Sequence, residues 1–504
     1  MDEHRPSSEA GGEFTSGESH VPAGQGRDAI GQLETRGIDY IPASERNSRP
    51  ANLAWTYFGG QFGYAVFVLG GLLPAFGLAW WPSFWAIICG TLIGSVAVAA
   101  IALVGPKTGT NSTVSSVASF GVRGRYIGSI IAQFDNLGFN VIIIWSGGLA
   151  LQEAAHRLFG TGTGILSLVI GMAIVAAGMS VLGLLGHSTL IASFKFVAVT
   201  QLVIMAIFIG IIATHFHMQP KHASYLLGSF WPTWLLGLTL GITNPISYGV
   251  GINDYARRIP ESASPRSLFW SLALGMFGGN ALAYLMGAFV VLCFANVATP
   301  LVTGMVQLSP MWFLIPFVLF GFIGNLAGGG LDMYNATLDL HAILFKITRE
   351  SNAFIIIAVT LVVTYFAVVV FNAVTTVTSF ATVLSAVLGP WIAIVMIRHF
   401  EVHGRYHLLD LHAFATGEEG TTYWFTSGFS LRAGLAWAIA TAIGLMWSST
   451  TLYTGPLTTL SKGIDLSFIS AFLVGGLLYY LFGRLGRRSQ EGVQSGEPLA
   501  TGSE

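Results

Sequence analysis

The stretch Phe58-Gly59-Gly60-Gln61-Phe62-Gly63 interrupts an apolar segment that runs from Asn52 to Pro74. A second apolar segment, from about Phe230 to Tyr255, is interrupted by Thr243-Asn244-Pro245-Ile246-Ser247. A helix that stops at membrane depth leaves backbone groups without partners, which is tolerated only where they line a cavity or bind something. Broken spans at matching places in two halves of a chain are typical of secondary transporters, which bind their substrate at the breaks. The sequence therefore predicts a membrane transporter.

The composition of the chain supports a membrane protein. Of its 504 residues 53% are hydrophobic and 9% are charged, whereas a soluble domain has about 25% charged residues. The mean hydropathy is +0.67, and a net charge of -1 argues against a nucleic-acid partner. The two cysteines, Cys89 and Cys293, lie in apolar runs, so no disulfide framework is expected.

About twelve apolar segments, each near the roughly 20 residues that cross a bilayer, lie between two polar tails. The tails, 1–45 and 486–504, have too little apolar surface to offset the entropy of ordering and are predicted to be disordered. The domain between them, 46–485, is the predicted transporter. Its spans are approximately 52–74, 83–104, 127–156, 164–185, 187–214, 230–256, 267–297, 311–344, 352–372, 374–398, 431–449 and 463–483.

The basic residues predict the orientation of these spans. With the N-terminus in the cytoplasm, nearly all the basic residues between spans lie on the cytoplasmic side, and only Arg157, Lys221 and Lys462 lie outside. This asymmetry follows the positive-inside rule, and an even number of spans places both termini in the cytoplasm. We expect an integral protein of the plasma membrane.

The two broken spans, the first and the sixth, define the expected architecture. The unit that separates them is five helices long, and an odd number of crossings makes the second unit start from the opposite side of the membrane. The sequence therefore predicts an all-α leucine-transporter-type fold with two inverted five-helix repeats, about 52–214 and 230–398. Two further helices, about 431–483, follow the repeats.

Four stretches of the chain resemble the nucleobase:cation symporters, the family of purine–cytosine permeases and hydantoin, allantoin and uracil carriers. The first three precede span one, form its break and follow span two, and the fourth closes span six. They are Gly37-Ile38-Asp39-Tyr40-Ile41-Pro42 with Glu45-Arg46; Trp55-Thr56-Tyr57-Phe58-Gly59-Gly60-Gln61-Phe62; Gly105-Pro106-Lys107-Thr108-Gly109 with Ser119-Phe120-Gly121 and Arg123-Gly124; and Asp254-Tyr255-Ala256-Arg257-Arg258-Ile259-Pro260. The match in order and spacing covers most of residues 37–400. It implies import of a nucleobase or related heterocycle by cation symport.

The resemblance also implies substrate-binding residues. Aromatic faces can sandwich a nucleobase, and side-chain amides can read its edge because they offer donors and acceptors. Aligning Trp145-Ser146-Gly147-Gly148 with the family's similar run makes Phe139 the stacking candidate on span three. On span six the candidate is Tyr248, although the family's aromatic could equally align with Asn244 or Pro245. Gln61 and Asn244 are the expected edge-readers, or else they cap the broken backbone.

Span eight carries a polar stripe that cannot face lipid. Helical spacing places Asn325, Gly328, Asp332, Asn335 and Asp339 near one face. An ionised carboxylate is costly at the centre of a bilayer, so this face is expected to line the interior. In the family this helix contributes an asparagine that contacts the ligand, a role that the resemblance transfers to Asn325.

The chain departs from the family's sodium-dependent members in the groups available to bind the coupling ion. Those members coordinate sodium with hydroxyls on span eight and carbonyls of the first break. No Ser or Thr lies between Gly321 and Tyr334, although the Gly60 carbonyl is available. Membrane carboxylates are the usual proton carriers of transporters. We therefore expect Asp332, with Asp135 on span three as second choice, to bind the coupling proton. Sodium coupling, uncoupled transport, or an ionised Asp332 paired with Lys195 are the alternatives.

Other functional classes fit less well. The histidines at 399, 403, 407 and 412 lie in or near loops, so no metal site is evident. No arrangement of catalytic residues and no cofactor site is expected. No obligatory protein partner is evident. A channel is disfavoured because no segment repeats as a filter. The main alternative is an amino-acid or amine carrier of the same fold, whose carboxylate-bearing substrate would bind the amides of Gly59 and Gly60.

Overall fold

The computed structural model describes residues 38–494, apart from 186, 222, 345, 371–372 and 451. Most of the two predicted disordered tails, 1–37 and 495–504, lies outside the described residues. Residues 38–45 were assigned to the first tail, but Ile38 and Ile41 are buried against the protein. The last helix continues to Gln494, past the predicted start of the second tail. Both predicted tails therefore extend too far into the folded chain.

The structure is helical, and no strand occurs among the described residues. The first half of the chain contains α1 (Pro50–Gly59), α2 (Tyr64–Ala75), α3 (Trp80–Ile101), α4 (Val104–Thr108), α5 (Ser112–Ser115), α6 (Val117–Phe120), α7 (Arg125–Phe159), α8 (Ile165–Leu185) and α9 (His187–Ile212). The second half contains α10 (Phe230–Ser247), α11 (Ile252–Ala256), α12 (Pro265–Val291), α13 (Leu301–Leu308), α14 (Met311–Ile343), α15 (Arg349–Tyr365) with a π-helical continuation at Phe366–Val370, α16 (Ala373–Glu401), α17 (Leu408–Leu411), α18 (Ala413–Thr416), α19 (Leu431–Met446) and α20 (Ser467–Gln494).

The helix bounds agree with the predicted spans to within a few residues over most of the chain. In the described part, nine helices are long and apolar enough to cross a membrane, and α1 with α2 forms a tenth candidate that is bent by 61°. The pair α10 and α11 and the shorter α19 occupy the two remaining predicted spans. The architecture is thus consistent with twelve crossings. The sequence did not predict the short helices α4, α5, α6 and α13 in the connections.

The packing of the helices shows the two repeats. The broken helix α1–α2 of the first repeat packs on α12, the second helix of the other repeat, and α10 packs in the same way on α3. The third helices of the two repeats, α7 and α14, pack on each other. If the two repeats are exchanged, the contact of α1–α2 with α12 becomes the contact of α10 with α3, and the contact between α7 and α14 is unchanged. The fold is the predicted leucine-transporter type, with α19 and α20 appended and packed on α16.

Glycines allow the close approach at both symmetry-related interfaces. Gly70 on α2 lies against the backbone of Tyr284, and Gly287 on α12 lies against the backbone of Phe67, without room for a Cβ at either glycine. At the other interface Gly90 on α3 also lies too close to the α10 backbone to leave room for a Cβ. Small residues at helix interfaces permit tight packing where lipid provides no hydrophobic drive for association. This packing holds both broken helices in the centre of the molecule.

The two breaks differ in how well the sequence located them. The first falls where predicted, with α1 ending at Gly59 and α2 beginning at Tyr64. The second was predicted at Thr243–Ser247, but α10 runs through Pro245 to Ser247, and a 3-10 turn at Tyr248–Val250 followed by Gly251 separates it from α11. The prediction was wrong because a membrane helix can pass through a proline when its neighbours satisfy the freed carbonyl. The helix ends instead at the glycine-containing turn that follows.

Candidate functional site

The first break brings Gln61 into contact with the second broken helix. Gln61 is fully buried, and its Oε1 accepts a hydrogen bond from Asn244 Nδ2 at 2.9 Å. Its Nε2 donates to the carbonyl oxygen of Tyr57 at 3.1 Å. Asn244 Nδ2 also donates to Asn280 Oδ1 on α12. The two predicted edge-reading amides therefore meet each other, and a third amide joins them.

Asn325 lies beside the same break on α14. Its Oδ1 accepts a hydrogen bond from the backbone N–H of Ala65, in the first turn of α2, at 3.4 Å. Its Nδ2 donates to the carbonyl oxygen of Ile143 on α7 at 2.6 Å. The amide thus satisfies backbone groups that the break leaves open and ties α2 to α7 and α14. Its contact with a substrate stays a prediction.

The two predicted stacking residues lie on α7 and in the second break. The ring of Phe139 meets that of Phe380 on α16 edge-on, with centroids 5.6 Å apart. Tyr248 is the first residue of the second break, and its ring lies edge-on to Tyr57 with centroids 5.2 Å apart. Both rings thus have aromatic neighbours. Whether they sandwich a ligand stays a prediction.

A small acidic cavity opens between α7, α14 and the second break. Its volume is about 10 Å³, close to the space that one water molecule needs. Asp135 from α7 and Asp332 from α14 both line it, as does Tyr248. The predicted cation-coupling carboxylates thus face one cavity. The remaining lining residues are Asn136, Ser247, Val250, Gly251, Asn335 and Asp339.

The surroundings of Gly60 bear on the sodium alternative. A Cβ placed on Gly328 would lie 3.7 Å from the carbonyl oxygen of Gly60, so this carbonyl faces α14. No Ser or Thr lies between Gly321 and Tyr334 on α14 to join it. In the described part of the chain, no group of three or more His, Cys, Asp and Glu side chains is arranged to hold a metal ion. The pairing of Asp332 with Lys195 concerns a side chain outside the described residues.

Sequence reasoning missed three polar residues of this region. Asn280 completes the amide network and appeared in the sequence only as one asparagine within an apolar span. Asn140, next to Phe139, is fully buried, and neither its Nδ2 nor its Oδ1 has a hydrogen-bond partner. The buried hydroxyl of Tyr57 also has none. The available signal was the presence of polar residues at membrane depth. An unpaired amide there costs free energy, so its presence points to a function.

The side of the molecule that carries most basic residues is closed. Arg46 is buried, and its guanidinium donates to the carbonyl oxygens of Ile41 and Pro106, each at 2.8 Å. Arg257 Nη1 donates to the carbonyl oxygen of Asp39 at 3.2 Å. The stretches before span one, after span two and at the end of span six therefore interlock. These are three of the four stretches that carry the family resemblance.

A larger cavity lies toward the opposite side. Its volume is about 230 Å³. Its walls come from the second half of α2, from Trp145 on α7, from the connection between α12 and α13, and from Thr375 and Thr378 on α16. The lining residues of α2 lie toward its end, well after the first break at which this helix begins, so this cavity is farther from the basic side than that break is. The molecule is thus closed on the basic side and has a cavity toward the opposite side.

An inverted repeat with two broken helices at a buried polar centre defines a secondary transporter, not an enzyme. The family model described as "Permease for cytosine/purines, uracil, thiamine, allantoin" matches residues 40–475, and the chain belongs to this family, the nucleobase:cation symporters. Family membership confirms the resemblance inferred from the four sequence stretches.

Two related sequences illustrate the relationship. The chain is 26% identical over 472 residues to YxlA of Bacillus subtilis (strain 168), a candidate purine-cytosine permease, covering 92% of this chain and 98% of the relative. It is 22% identical over 495 residues to the purine-uracil permease NCS1 of Arabidopsis thaliana, covering 90% of this chain and 79% of the relative.

Solved structures confirm the fold. Mhp1, a nucleobase-cation-symport-1 family transporter, in a closed conformation with bromovinylhydantoin bound, superposes with a TM-score of 0.72 at 19% identity, covering 91% of this chain and 97% of Mhp1. Its inward-facing conformation gives 0.70 at 18% identity, with 91% and 96% covered. A sodium-coupled sialic acid symporter, 11% identical, gives 0.55 and covers 87% of this chain and 91% of the symporter. At these identities the likeness concerns the fold alone.

Proposed function

We propose that this protein imports a nucleobase or related heterocycle, of the cytosine, purine, uracil, allantoin or hydantoin class, together with a proton. The observation that carries the proposal is the meeting of two sets of groups at the breaks. Buried amides lie around the first break together with Tyr57, whose ring meets that of Tyr248 in the second break. Two carboxylates without a described cationic partner line the cavity at the second. The first set suits an uncharged, flat, edge-rich ligand, and the second suits a proton.

The amides support the choice of substrate. The side-chain amides of Gln61, Asn244 and Asn325 carry donors and acceptors that could hydrogen-bond to the edge of a heterocycle. Neither amide atom of Asn140 has a hydrogen-bond partner in the structure. A site built to hydrogen-bond a polar edge rejects ligands that lack it, because its own buried groups would then stay unpaired. Phe139 and Tyr248 are the rings proposed to stack on the ligand.

The acidic cavity supports the choice of ion. Asp332 and Asp135 share a space that fits a water molecule, and the neighbouring stretch of α14 lacks the hydroxyls that a sodium site would use. Desolvation favours the neutral form of a carboxyl group, so a buried carboxyl takes up a proton and releases it when water enters. Protonation of Asp332, with Asp135 assisting, is proposed to accompany substrate binding.

The orientation completes the proposal. We place the basic side, with both termini, in the cytoplasm of a plasma-membrane protein, as the positive-inside rule indicates. The 230 Å³ cavity then lies on the extracellular side of the breaks, and the interlocked segments around Arg46 and Arg257 close the cytoplasmic side. This arrangement supports entry of the substrate from outside, followed by opening of the cytoplasmic contacts.

Uptake by a host that lacks its own nucleobase carriers tests the proposed substrate class. Cells expressing the protein are given a panel of labelled purines, pyrimidines, allantoin and hydantoins, with and without an excess of mixed amino acids. We expect uptake of at least one heterocycle, inhibited by other heterocycles and not by amino acids. Inhibition by amino acids alone would overturn the proposal and favour an amino-acid carrier.

A further inference from the structure

Asn280 on α12 is fixed in one orientation by its own helix. The side chain is fully buried, and its Nδ2 donates a hydrogen bond to the carbonyl oxygen of Met276 at 2.9 Å. Because a carbonyl oxygen can only accept, the nitrogen end of this amide must face Met276, and its Oδ1 points elsewhere. That Oδ1 accepts a hydrogen bond from Nδ2 of Asn244 on α10. Asn280 therefore offers Asn244 an acceptor and no donor.

Gln61 is fixed in the same way at the first break. Its Nε2 donates to the carbonyl oxygen of Tyr57, one of the last carbonyls of α1, at 3.1 Å. Its Oε1 therefore lies at the other end of the amide, where it accepts a hydrogen bond from Asn244 Nδ2 at 2.9 Å. The backbone of α12 packs tightly here, since a Cβ on Gly279 would lie 3.0 Å from Cγ of Gln61. A second acceptor oxygen is thus held against Asn244.

These two oxygens determine which way the amide of Asn244 points. Asn244 is 1% exposed, and its nitrogen donates to Gln61 Oε1 and to Asn280 Oδ1. An amide nitrogen carries two hydrogens, so both donors of Asn244 are used. Turning the amide over would break two buried hydrogen bonds and bring its oxygen against two acceptors. The atom left for a ligand is Oδ1, which accepts no hydrogen bond within the described part of the chain.

We propose that Asn244 presents a fixed acceptor to the substrate, and that the site therefore selects heterocycles whose facing edge carries an N–H donor, as in amide-, imide- and ureide-type rings. Asn280 is a positioning residue, because it acts through the orientation of Asn244. A freely turning asparagine would offer a donor or an acceptor as the ligand required, and would not distinguish the two kinds of edge. The inference rests on the proposed heterocycle transport and adds the kind of edge that the second broken helix reads.

Replacing a ring N–H of the ligand by oxygen tests this selectivity, because the two groups are similar in size but the oxygen only accepts. The probes are the heterocycle that the unmodified protein takes up best and its oxa analogues, for example an oxazolidinedione in place of hydantoin. Each analogue competes with the labelled parent for binding to purified protein. At one ring position we expect the analogue to bind about tenfold or more weakly than the parent, because Asn244 Oδ1 then faces another acceptor. Equal binding of the parent and all its oxa analogues would overturn the inference.

Variants separate the fixed acceptor from a merely structural role. Asn244→Leu removes the acceptor, so the discrimination between parent and analogue should disappear. Asn280→Leu removes one of the two hydrogen bonds that orient Asn244 and should reduce the discrimination by a smaller factor, whereas Asn280→Asp keeps an oxygen there and should retain it. Tyr284→Phe is the matched control, since Tyr284 lies one turn further along α12 and its hydroxyl donates to the carbonyl oxygen of Leu240 on α10 at 3.1 Å. This control should leave the discrimination unchanged.

The outcomes distinguish the inference from the proposed function. Discrimination that persists in Asn244→Leu would overturn the inference and leave the proposed function standing. If thermal unfolding shows that this variant does not fold, undiminished discrimination in Asn280→Leu overturns it. An unmodified protein that neither takes up nor binds any heterocycle would instead refute the proposed function, and the inference with it.

Discussion

The two breaks occupy equivalent places in the repeats, but they differ in their backbone geometry and in the side chains around them. At the first break the helix bends by 61°. There the side chain of Asn244 donates to that of Gln61, and the side chain of Asn325 accepts from the backbone N–H of Ala65. At the second, a short turn begins at Tyr248 and adjoins a cavity with unpaired carboxylate and amide oxygens. The amides at the first break have protein partners, whereas the cavity at the second retains two oxygens without a hydrogen-bond partner, on Asp135 and Asn335. We propose that the first break shapes the substrate site and that the second serves the ion.

The largest effect expected from this comparison concerns Asp332 at the second break. Asp332→Asn mimics the protonated carboxyl, so the variant should bind substrate and exchange it across the membrane but lose nearly all concentrative uptake. Counterflow of labelled substrate in proteoliposomes, compared with net uptake, separates the two activities. Loss of counterflow together with net uptake would instead place Asp332 in substrate binding or in the fold.

At the first break, Gln61→Ala should weaken substrate binding by about 1–3 kcal/mol, because a buried partner is left unpaired. Asn280→Ala is the matched control, since Asn280 belongs to the same network through Asn244. Equilibrium binding to purified protein measures both. If Gln61 touches the ligand, its variant should lose clearly more affinity than the Asn280 variant. Equal losses would show that the network only supports the helices.

Phe139 should show the next largest effect. Phe139→Ala should reduce affinity, whereas Phe139→Tyr and Phe139→Trp should retain most of it, because a ring face stacks on the ligand. Phe380→Leu is the control for the edge-on contact between the two rings. Binding that tolerates Phe139→Ala as well as Phe139→Trp would show that Phe139 is only a packing residue.

The smallest changes in binding are expected from Asn325 and Asn140, which form a useful pair because one amide is satisfied and the other is not. Asn325→Ala should lower thermal stability as well as affinity, since it frees the Ala65 N–H and the Ile143 carbonyl. Asn140→Leu should keep or raise stability, because it removes an unsatisfied buried amide, yet still weaken binding. Thermal unfolding and equilibrium binding measured on the same samples distinguish the two. Unchanged binding in Asn140→Leu would remove that residue from the site.

Much of the fold could be predicted because every span needs an apolar run long enough to cross the bilayer, and such runs are visible in the sequence. The bounds of the spans and the break at Gly60–Gly63 follow from apolar runs and glycines. The second break was misplaced because Pro245 looks like a helix end, whereas the protein environment lets α10 continue to Ser247. Short helices such as α5 carry no comparable periodic signal.

The candidate site was predictable only in its residue types. The polar stripe of α14 indicated that Asp332 and Asp339 face inward, and both do line one cavity. Which amides meet depends on contacts between distant parts of the chain, such as Asn244 with Asn280, and no local pattern encodes these. For the same reason the unpaired state of Asn140 could not be read from the sequence.

The central claim, that a proton and not sodium drives uptake, is tested most directly with purified protein in proteoliposomes. Labelled heterocycle is supplied outside under one of two conditions: a pH gradient, acidic outside, with choline in place of sodium, or an inward sodium gradient at equal pH on both sides. We predict accumulation above the external concentration with the pH gradient, its collapse on adding a protonophore, and none with the sodium gradient. Accumulation that follows sodium at constant pH would contradict the claim.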